Sequence, residues 1–372
     1  MLRSEDIIAE KLRYRCCRRE VRFLPKIQSI VDECRENLNM SPLHLICCES
    51  LIRTFSAFFL RMEPYLIYDS CLLETLYLYD CVLYSGANKN DMDKLFYKMY
   101  GEELVLCGDL DCSPYFAEMY TRLRFSFENE IDAIKIEQQL SRQNYFLIAH
   151  EIAHLSLRGN AATTIPEKYR ELVRAAVIVL TKRIVKQGQP LKEVLAERTG
   201  YFLDTIPETL EEYFDILMDS GRFIHFVEEC YCDFIGLKML LEHYDETVLS
   251  IKAVSSALNY LIMQESIRCD LEDGIAHLKD AERRPQAAMY FSVLRTQLLL
   301  ITLEMNESDS IAAAFAEIYD RSSLTERLGE FVKSLPDREK IKYLAKSEFL
   351  EMDRATLTDT LLRQFYYAHI GE

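Results

Sequence analysis

Residues 144–155 read Asn-Tyr-Phe-Leu-Ile-Ala-His-Glu-Ile-Ala-His-Leu. This segment contains His150-Glu151-x-x-His154, a spacing that puts two imidazoles one turn apart on the same face of a helix. Two such imidazoles can bind one zinc ion, and the glutamate after the first can polarise a water bound to that zinc. We therefore expect His150 and His154 to be metal ligands and Glu151 to be a catalytic residue.

The residues around this motif predict a buried helix. Apolar side chains surround the three motif residues and leave no stripe that could face solvent. Three polar side chains in such a helix are costly to bury unless a metal or a charged partner satisfies them. The helical pattern runs from Ile131 to Leu157, and Gly159-Asn160 is a stop signal suited to a left-handed cap.

The composition favours a mainly α fold. The chain has 372 residues, of which 49% are hydrophobic and 28% charged, as is usual for a globular protein. With only 11 Gly and 9 Pro, a turn-rich β fold is disfavoured, and we expect a multi-helix domain with at most a small β element. The formal charge of -16 argues against nucleic acid as a partner, because phosphates require a basic surface, and permits a basic or neutral protein substrate.

The cysteines indicate a reducing compartment. There are 12, but adjacent pairs such as Cys16-Cys17 and Cys47-Cys48 are poor candidates for structural disulfides. The first residues turn polar at once and contain no signal-peptide core, and no apolar run is long enough to span a membrane. We expect a cytoplasmic protein without a membrane partner.

Helix and strand signals outline the first part of the chain. We expect helices through 4–62, with Ser41-Pro42 beginning one of them and His44 as a core residue. Pro64–Tyr68 is the best candidate strand, and Asp69 is a candidate N-cap for the following helix.

Later signals complete the organisation. A second short strand is predicted at Glu103–Cys107, and a helix at Pro166–Val185. Amphipathic helices are expected from Ser308 onward. The expected regions are an N-terminal helical region with a candidate short strand at 1–130, a zinc-binding catalytic core at 131–304, and a C-terminal helical region at 305–372.

A third metal ligand is expected on a separate helix, because catalytic zinc usually has three protein ligands and a water. No histidine follows His154 closely, but 222–243 has helical periodicity. Glu229, Asp233 and Gly236 share one face of that helix. Glu229 could bind the metal and Asp233 could accept the N–H of a ligand histidine, while a glycine would permit close approach of the two helices. The neighbouring Glu228 is expected to point into solvent.

Other polar residues are candidates for supporting roles. His225 lies four residues before Glu229 and could hold an oxyanion or serve as a spare ligand, and its alternative is a partly buried polar residue. Tyr201, Tyr213 and Tyr231 could each donate a hydrogen bond to a tetrahedral intermediate, and the sequence does not rank them.

His150-Glu151-x-x-His154 followed by Glu229-x-x-x-Asp233 resembles the motif pair of the gluzincin metallopeptidases. The resemblance implies that His150, His154 and Glu229 bind Zn²⁺, that Glu151 is the general base, and that Asp233 orients a ligand imidazole. The helical, cytosolic form of the chain also resembles the phage-exclusion peptidases of bacteria. The chain departs from many such peptidases at the later His-Pro-x-x-x-x-Arg stretch, where it has Arg284-Pro285 and Tyr290.

We therefore expect a zinc-dependent peptidase that hydrolyses peptide bonds in a protein substrate. The alternative is a catalytically inactive helical module that regulates or binds other proteins and retains a zincin-like site. The presence of Glu151 counts against that alternative, because a purely structural zinc has no need of a glutamate there. A third reading is a zinc hydrolase acting on a non-peptide amide.

Overall fold

The computed structural model describes residues 24–50, 53, 55–84, 89–126, 133–159, 164–186, 221–271, 324–344 and 351–366, together with 6, 209, 212, 215, 216, 295, 296, 298, 299 and 349. These residues form a mainly α fold with one small sheet, as predicted. The helices are α1 Pro25–Asn37, α2 Ser70–Tyr84, α3 Lys89–Cys107, α4 Ser113–Arg122, α5 Ala133–Gly159, α6 Glu167–Lys186, α7 Gly221–His243, α8 Thr247–Leu271, α9 Leu324–Ser334, α10 Arg338–Leu344 and α11 Arg354–Tyr366. The strands are β1 His44–Cys48, β2 Ser56–Leu60 and β3 Glu63–Asp69.

The helix α5 carries the His-Glu motif and lies in the core, as its all-round apolar sequence predicts. Its apolar residues from Tyr145 to Leu155 are buried and join a cluster that extends from α1 to α11. The helix ends at Gly159, where an added Cβ would lie 2.5 Å from Phe59 Cζ, so a side chain there would have to displace the Phe59 ring. Of the described glycines, Gly108 alone has a positive φ, so the left-handed cap expected at Gly159 is not seen at that residue, and Asn160 lies outside the described residues.

The helix α7 runs antiparallel along α5 and carries the second half of the motif. The two helices approach closely at Gly236. A Cβ added there would lie 3.1 Å from the ring of Phe146 and 3.2 Å from the carbonyl oxygen of Phe146. At one end His243 stacks on Tyr145 with ring centroids 4.4 Å apart. The predicted helix 222–243 is thus confirmed, and so is the role of Gly236 in the close approach of the two helices.

The small sheet corrects the prediction that 4–62 is helical throughout. The strand order is β1-β3-β2, with β1 parallel and β2 antiparallel to β3. Within the described part of that range, only α1 is a helix of several turns, and Ser41-Pro42 leads into β1 instead of capping a helix. The short buried run at the end of β1 pairs with β3, and such runs are ambiguous between helix and strand in sequence. His44 is not a core residue, because it lies at the exposed start of β1 and stacks on Tyr65.

The strand predicted at 64–68 is confirmed as β3, and Asp69 caps the helix that follows. Asp69 Oδ1 accepts the N–H of Cys71 over 3.1 Å, which satisfies one of the free donors at the start of α2. The same carboxylate accepts both the N–H and the hydroxyl of Ser50. Asp69 therefore joins β3, α2 and the segment after β1.

The strand predicted at Glu103–Cys107 is wrong, since these residues are the last turns of α3. Glu103 is buried and pairs with Arg53 Nη2 over 2.6 Å, while Leu104 and Val105 pack in the core. An apolar run on a buried helix has the same composition as a buried strand, so the sequence misled here. Gly108 ends the helix with a φ of 80°.

The predicted helix 166–185 is confirmed as α6, and the expected break at Pro336-Asp337 separates α9 from α10. The proposed division into three regions stays a prediction. No helix within the described ranges combines the length and apolar character needed to cross a membrane. Nine cysteines in those ranges, from Cys34 to Cys232, have free thiols.

Candidate metal centre

Three side chains from α5 and α7 converge on one point. His150 and His154 lie one turn apart on α5, and Glu229 faces them from α7. His150 Nε2 lies 3.2 Å from His154 Nε2. The Glu229 carboxylate completes the group, with Oε1 3.2 Å from His154 Nε2 and Oε2 3.6 Å from His150 Nε2. Both histidines are buried, and the group could hold a metal ion.

The separations suit a tetrahedral ion. Zinc bonds to nitrogen and carboxylate oxygen of about 2.0–2.1 Å place tetrahedral ligand atoms roughly 3.3 Å apart. Two separations lie close to that value: 3.2 Å between the two Nε2 atoms, and 3.2 Å from His154 Nε2 to Glu229 Oε1. The other carboxylate oxygen, Oε2, is the one that lies 3.6 Å from His150 Nε2. Three protein ligands leave a fourth position open, which is the arrangement of catalytic sites.

The other nitrogen of each imidazole faces a carboxylate. His150 Nδ1 lies 3.0 Å from Asp233 Oδ1. His154 Nδ1 lies 2.8 Å from Glu228 Oε1. A carboxylate beside Nδ1 favours the tautomer with its proton there, which leaves Nε2 as an acceptor. Two acceptor nitrogens and a carboxylate that point at each other require a cation between them, so the chemistry of the group fits a metal ion.

Protons take that place when no metal competes. Burial alone would lower the pKa of His150, but the Asp233 and Glu229 carboxylates outweigh it and raise the pKa to about 10. The pKa of His154 is also raised, since Glu228 and Glu229 outweigh the effect of burial. Metal ligands must be deprotonated, so metal binding at this group releases protons.

A largely buried arginine neutralises the acidic side of the group. Arg295 binds Asp233 through two nitrogens, with Nε 2.8 Å from Oδ2 and Nη2 2.7 Å from Oδ1. Its Nη1 lies 2.9 Å from Glu229 Oε2. Burial would raise the pKa of Glu229, but Arg295 and the two imidazoles outweigh it and hold the pKa well below its usual value. Glu229 is thus deprotonated, as a carboxylate that binds a metal must be.

The expectation that Glu228 points into solvent is wrong. Its Oε1 accepts hydrogen bonds from His154 Nδ1 and from Arg158 Nε, the latter over 2.9 Å. The hydrogen bond with His154 is the main cause of the lowered pKa of Glu228. Arg158 is at the last turn of α5, where α7 crosses it, and this crossing turns Glu228 inward although Glu229 faces the metal ligands.

Glu151 lies beside the ligands and is held by the sheet. The backbone N–H of Ala57 in β2 donates a hydrogen bond to Glu151 Oε2 over 2.9 Å. Burial and the negative charge of Glu229 raise the pKa of Glu151, while the two imidazoles act in the opposite direction. A partly buried carboxylate with a raised pKa next to a metal site has the properties of a general base.

Of the supporting residues proposed from sequence, few are brought into the group. His225 is at its solvent side, with its side chain 57% exposed and Nε2 3.9 Å from Glu229 Oε1. The ring of Tyr231 packs against Tyr169 of α6, with centroids 4.9 Å apart. Four other residues considered from sequence lie outside the described ones: Tyr201, Tyr213, Arg284 and Tyr290.

Sequence reasoning missed Arg295 and the pair formed by Arg158 and Glu228. Arg295 is 62 residues beyond Asp233, and no periodicity or motif connects the two. Arg158 could have been found, because it lies four residues after His154 and therefore on the same helical face.

No protein-family model, curated protein or solved structure matches this chain. The geometry of the group therefore carries the functional argument by itself.

Proposed function

We propose that this protein is a zinc-dependent peptidase of the gluzincin type. His150, His154 and Glu229 would hold the zinc, and Glu151 would be the general base. The observation that carries the proposal is the convergence of His150, His154 and Glu229, whose ligand atoms, one from each residue, lie within 4.8 Å of one another, with Glu151 beside them. Structural zinc sites have four protein ligands, whereas three ligands and an adjacent glutamate support hydrolysis.

The ligand set favours zinc over other abundant cations. Two imidazoles and one carboxylate are a common set for catalytic zinc, while calcium and magnesium prefer oxygen ligands only. When bound, zinc would lower the pKa of a water and polarise the scissile carbonyl. Glu151 would take the proton from that water and deliver a proton to the leaving amine. Asp233 would keep the imidazole of His150 oriented.

The position of β2 supports an extended peptide as substrate. This strand is at the edge of the described sheet, and its second residue, Ala57, contacts the proposed general base. Edge strands bind extended peptides through main-chain hydrogen bonds, which give affinity without selecting particular side chains. The charge of -16 favours a neutral or basic protein substrate and disfavours nucleic acid. The free thiols of the described cysteines support a reducing compartment, for which we propose the cytoplasm.

The decisive experiment compares Glu151→Gln with the parent protein. We expect both to contain one zinc per chain by elemental analysis, and only the parent to cleave members of an unfolded-protein and peptide mixture analysed by mass spectrometry. A Glu151→Gln variant as active as the parent would refute the mechanism. A Glu229→Ala variant should lose zinc, and zinc retained equally in that variant would remove Glu229 from the ligand set.

One observation favours the second candidate, a regulatory or binding module without turnover. Arg295 already supplies a positive charge to Glu229 and Asp233, so these buried carboxylates are paired without a metal. On this view the protein would contain no zinc as purified. Elemental analysis of the parent protein therefore tests the metal-free form of this candidate before any substrate is known, and an inactive zinc-bound form is tested by whether the parent cleaves any peptide.

A further inference from the structure

The two ligand histidines are supported by two chains of contacts that differ in their exposure. On the inner side, His150 contacts Asp233, and Asp233 in turn pairs with the largely buried Arg295. On the outer side, His154 contacts Glu228, and Glu228 in turn pairs with Arg158, whose side chain is 45% exposed. The outer chain is the one that no sequence motif indicates.

The contacts of Glu228 fix both its own position and that of the imidazole. Three nitrogens lie within hydrogen-bonding distance of its Oε1: His154 Nδ1 at 2.8 Å, Arg158 Nε at 2.9 Å and Arg158 Nη2 at 2.8 Å. Both guanidinium nitrogens contact the same oxygen as the imidazole, and charge-assisted hydrogen bonds of this kind are short and strong. Glu228 is therefore held from the surface by Arg158 while it binds the ring that must present Nε2 to a metal.

We infer that Glu228, held by Arg158, is a positioning residue for the metal ligand His154 and strengthens metal binding. The inference rests on the proposed function, because it requires a metal at this group. Glu228 would keep the Nδ1 proton on its own side of the ring and make Nε2 a stronger donor to the metal. A carboxylate does both better than a neutral acceptor, since its negative charge stabilises the positive charge that the ring acquires on coordination.

The pair is one of several contacts that hold α7 in place. Other contacts join α7 to its neighbours, including Gly236 against Phe146 and the hydroxyl of Tyr169 donating to the Cys230 carbonyl over 2.7 Å. Ion pairs at the surface contribute little to stability. Substitution of Glu228 is therefore expected to change metal binding without unfolding the protein.

The test measures zinc affinity by competition with a chromophoric chelator, together with the visible absorption of the Co²⁺-substituted full chain. We expect Glu228→Ala to weaken zinc binding about 10–100-fold and to alter the Co²⁺ spectrum, as is typical when a partner of a ligand histidine is removed. Glu228→Gln keeps an acceptor and should recover part of the affinity. Arg158→Gln should weaken binding less than Glu228→Ala, because the hydrogen bond to His154 remains.

Glu242→Gln is the matched control, because it removes one negative charge from the same helix in an exposed pair with Lys238. It should bind zinc as the parent does. If Glu228→Ala and Glu228→Gln both bind zinc and Co²⁺ like the parent, the inference is wrong and the proposed function stands. If the parent protein binds neither metal, the proposed function and the inference fail together.

Discussion

Glu151 Oε2 accepts the backbone N–H of Ala57 over 2.9 Å, and this hydrogen bond joins the edge strand β2 to the proposed general base on α5. The donor belongs to the backbone, so the position of the Glu151 carboxylate depends on the fold of the sheet. The neighbouring Phe59 packs on Gly159 and holds β2 against the end of the same helix. The small sheet thus has a direct role at the candidate metal centre.

Replacement of Ala57 by proline should impair hydrolysis and leave zinc in place. Proline has no N–H, so Glu151 would lose its backbone donor, and proline is tolerated at an edge strand when the lost donor is not part of the ladder. A hydrogen bond to a charged group contributes about 1.5–3 kcal/mol, so turnover should fall about tenfold or more. Steady-state rates and zinc content are the measurements.

The matched control for this prediction is Ala57→Gly, which keeps the N–H. It should retain most of the activity. A proline variant with the turnover of the parent would show that the hydrogen bond has no part in positioning the base.

The sequence predicts features that depend on residues a few positions apart better than contacts between distant segments. The four-residue spacing of His150 and His154 and the shared face of Glu229 and Asp233 are local helical regularities, and the structure contains both helices. That these helices face each other was an expectation from Gly236, and the contact with Phe146 agrees with it.

Contacts between distant segments were not predictable in the same way. β1 pairs directly with β3, although β2 lies between them in the sequence. Nothing in the apolar run of β1 distinguishes a strand in that pairing from a buried helix. The direction of Glu228 depends on where α7 crosses Arg158, and the position of Arg295 depends on a tertiary contact without a local pattern. These are also the residues that set the charge around the metal ligands.

Substitution of Gly236 by alanine should weaken metal binding. A Cβ would lie 3.1 Å from the Phe146 ring and 3.2 Å from its carbonyl oxygen, and the carbonyl cannot move without α5. The helices must separate by a few tenths of an ångström, which moves Glu229 away from the two imidazoles. We expect zinc affinity to fall several-fold, measured by chelator competition, because metal ligands tolerate little displacement.

The control for this prediction is Gly329→Ala in α9, where a Cβ would meet nothing within 4 Å. That variant should gain about 0.5–1 kcal/mol of stability from helix propensity and bind zinc normally. Unchanged zinc affinity in Gly236→Ala would mean that the helix pair is less tightly packed than the distances indicate.

Replacement of Asp80 by asparagine should flatten the pH dependence of stability. Asp80 is buried, and burial raises its pKa to about 7 against the hydrogen bonds from Ser256, Gln143 and Gln139. The folded protein therefore binds more protons than the unfolded chain between the ordinary pKa of 3.8 and about 7. This makes the free energy of unfolding decrease as the pH rises through that window.

Urea unfolding at several pH values measures this effect, and Asp80→Asn should reduce the decrease, while Glu74, whose pKa burial also raises to about 7, maintains the rest. Asp353 should show the opposite pH dependence. Its hydrogen bonds with Thr356 lower its pKa, so its contribution to the free energy of unfolding is lost as the pH falls. An Asp80→Asn profile that is parallel to that of the parent would contradict the assignment of the titration to Asp80.

The contact between Gly101 and Phe365 predicts how the C-terminal helix α11 is attached. A Cβ on Gly101 would lie 2.1 Å from Phe365 Cζ, so Gly101→Ala must displace a ring that is fully buried. We expect a loss of about 1–3 kcal/mol in the free energy of unfolding, as for other overpacked cores. Phe365→Leu alone should also destabilise by leaving a cavity, but in the double variant the smaller side chain makes room for the added methyl group. The two costs should therefore be less than additive in a double-mutant cycle, and strict additivity would show that α11 does not pack on Gly101 in solution.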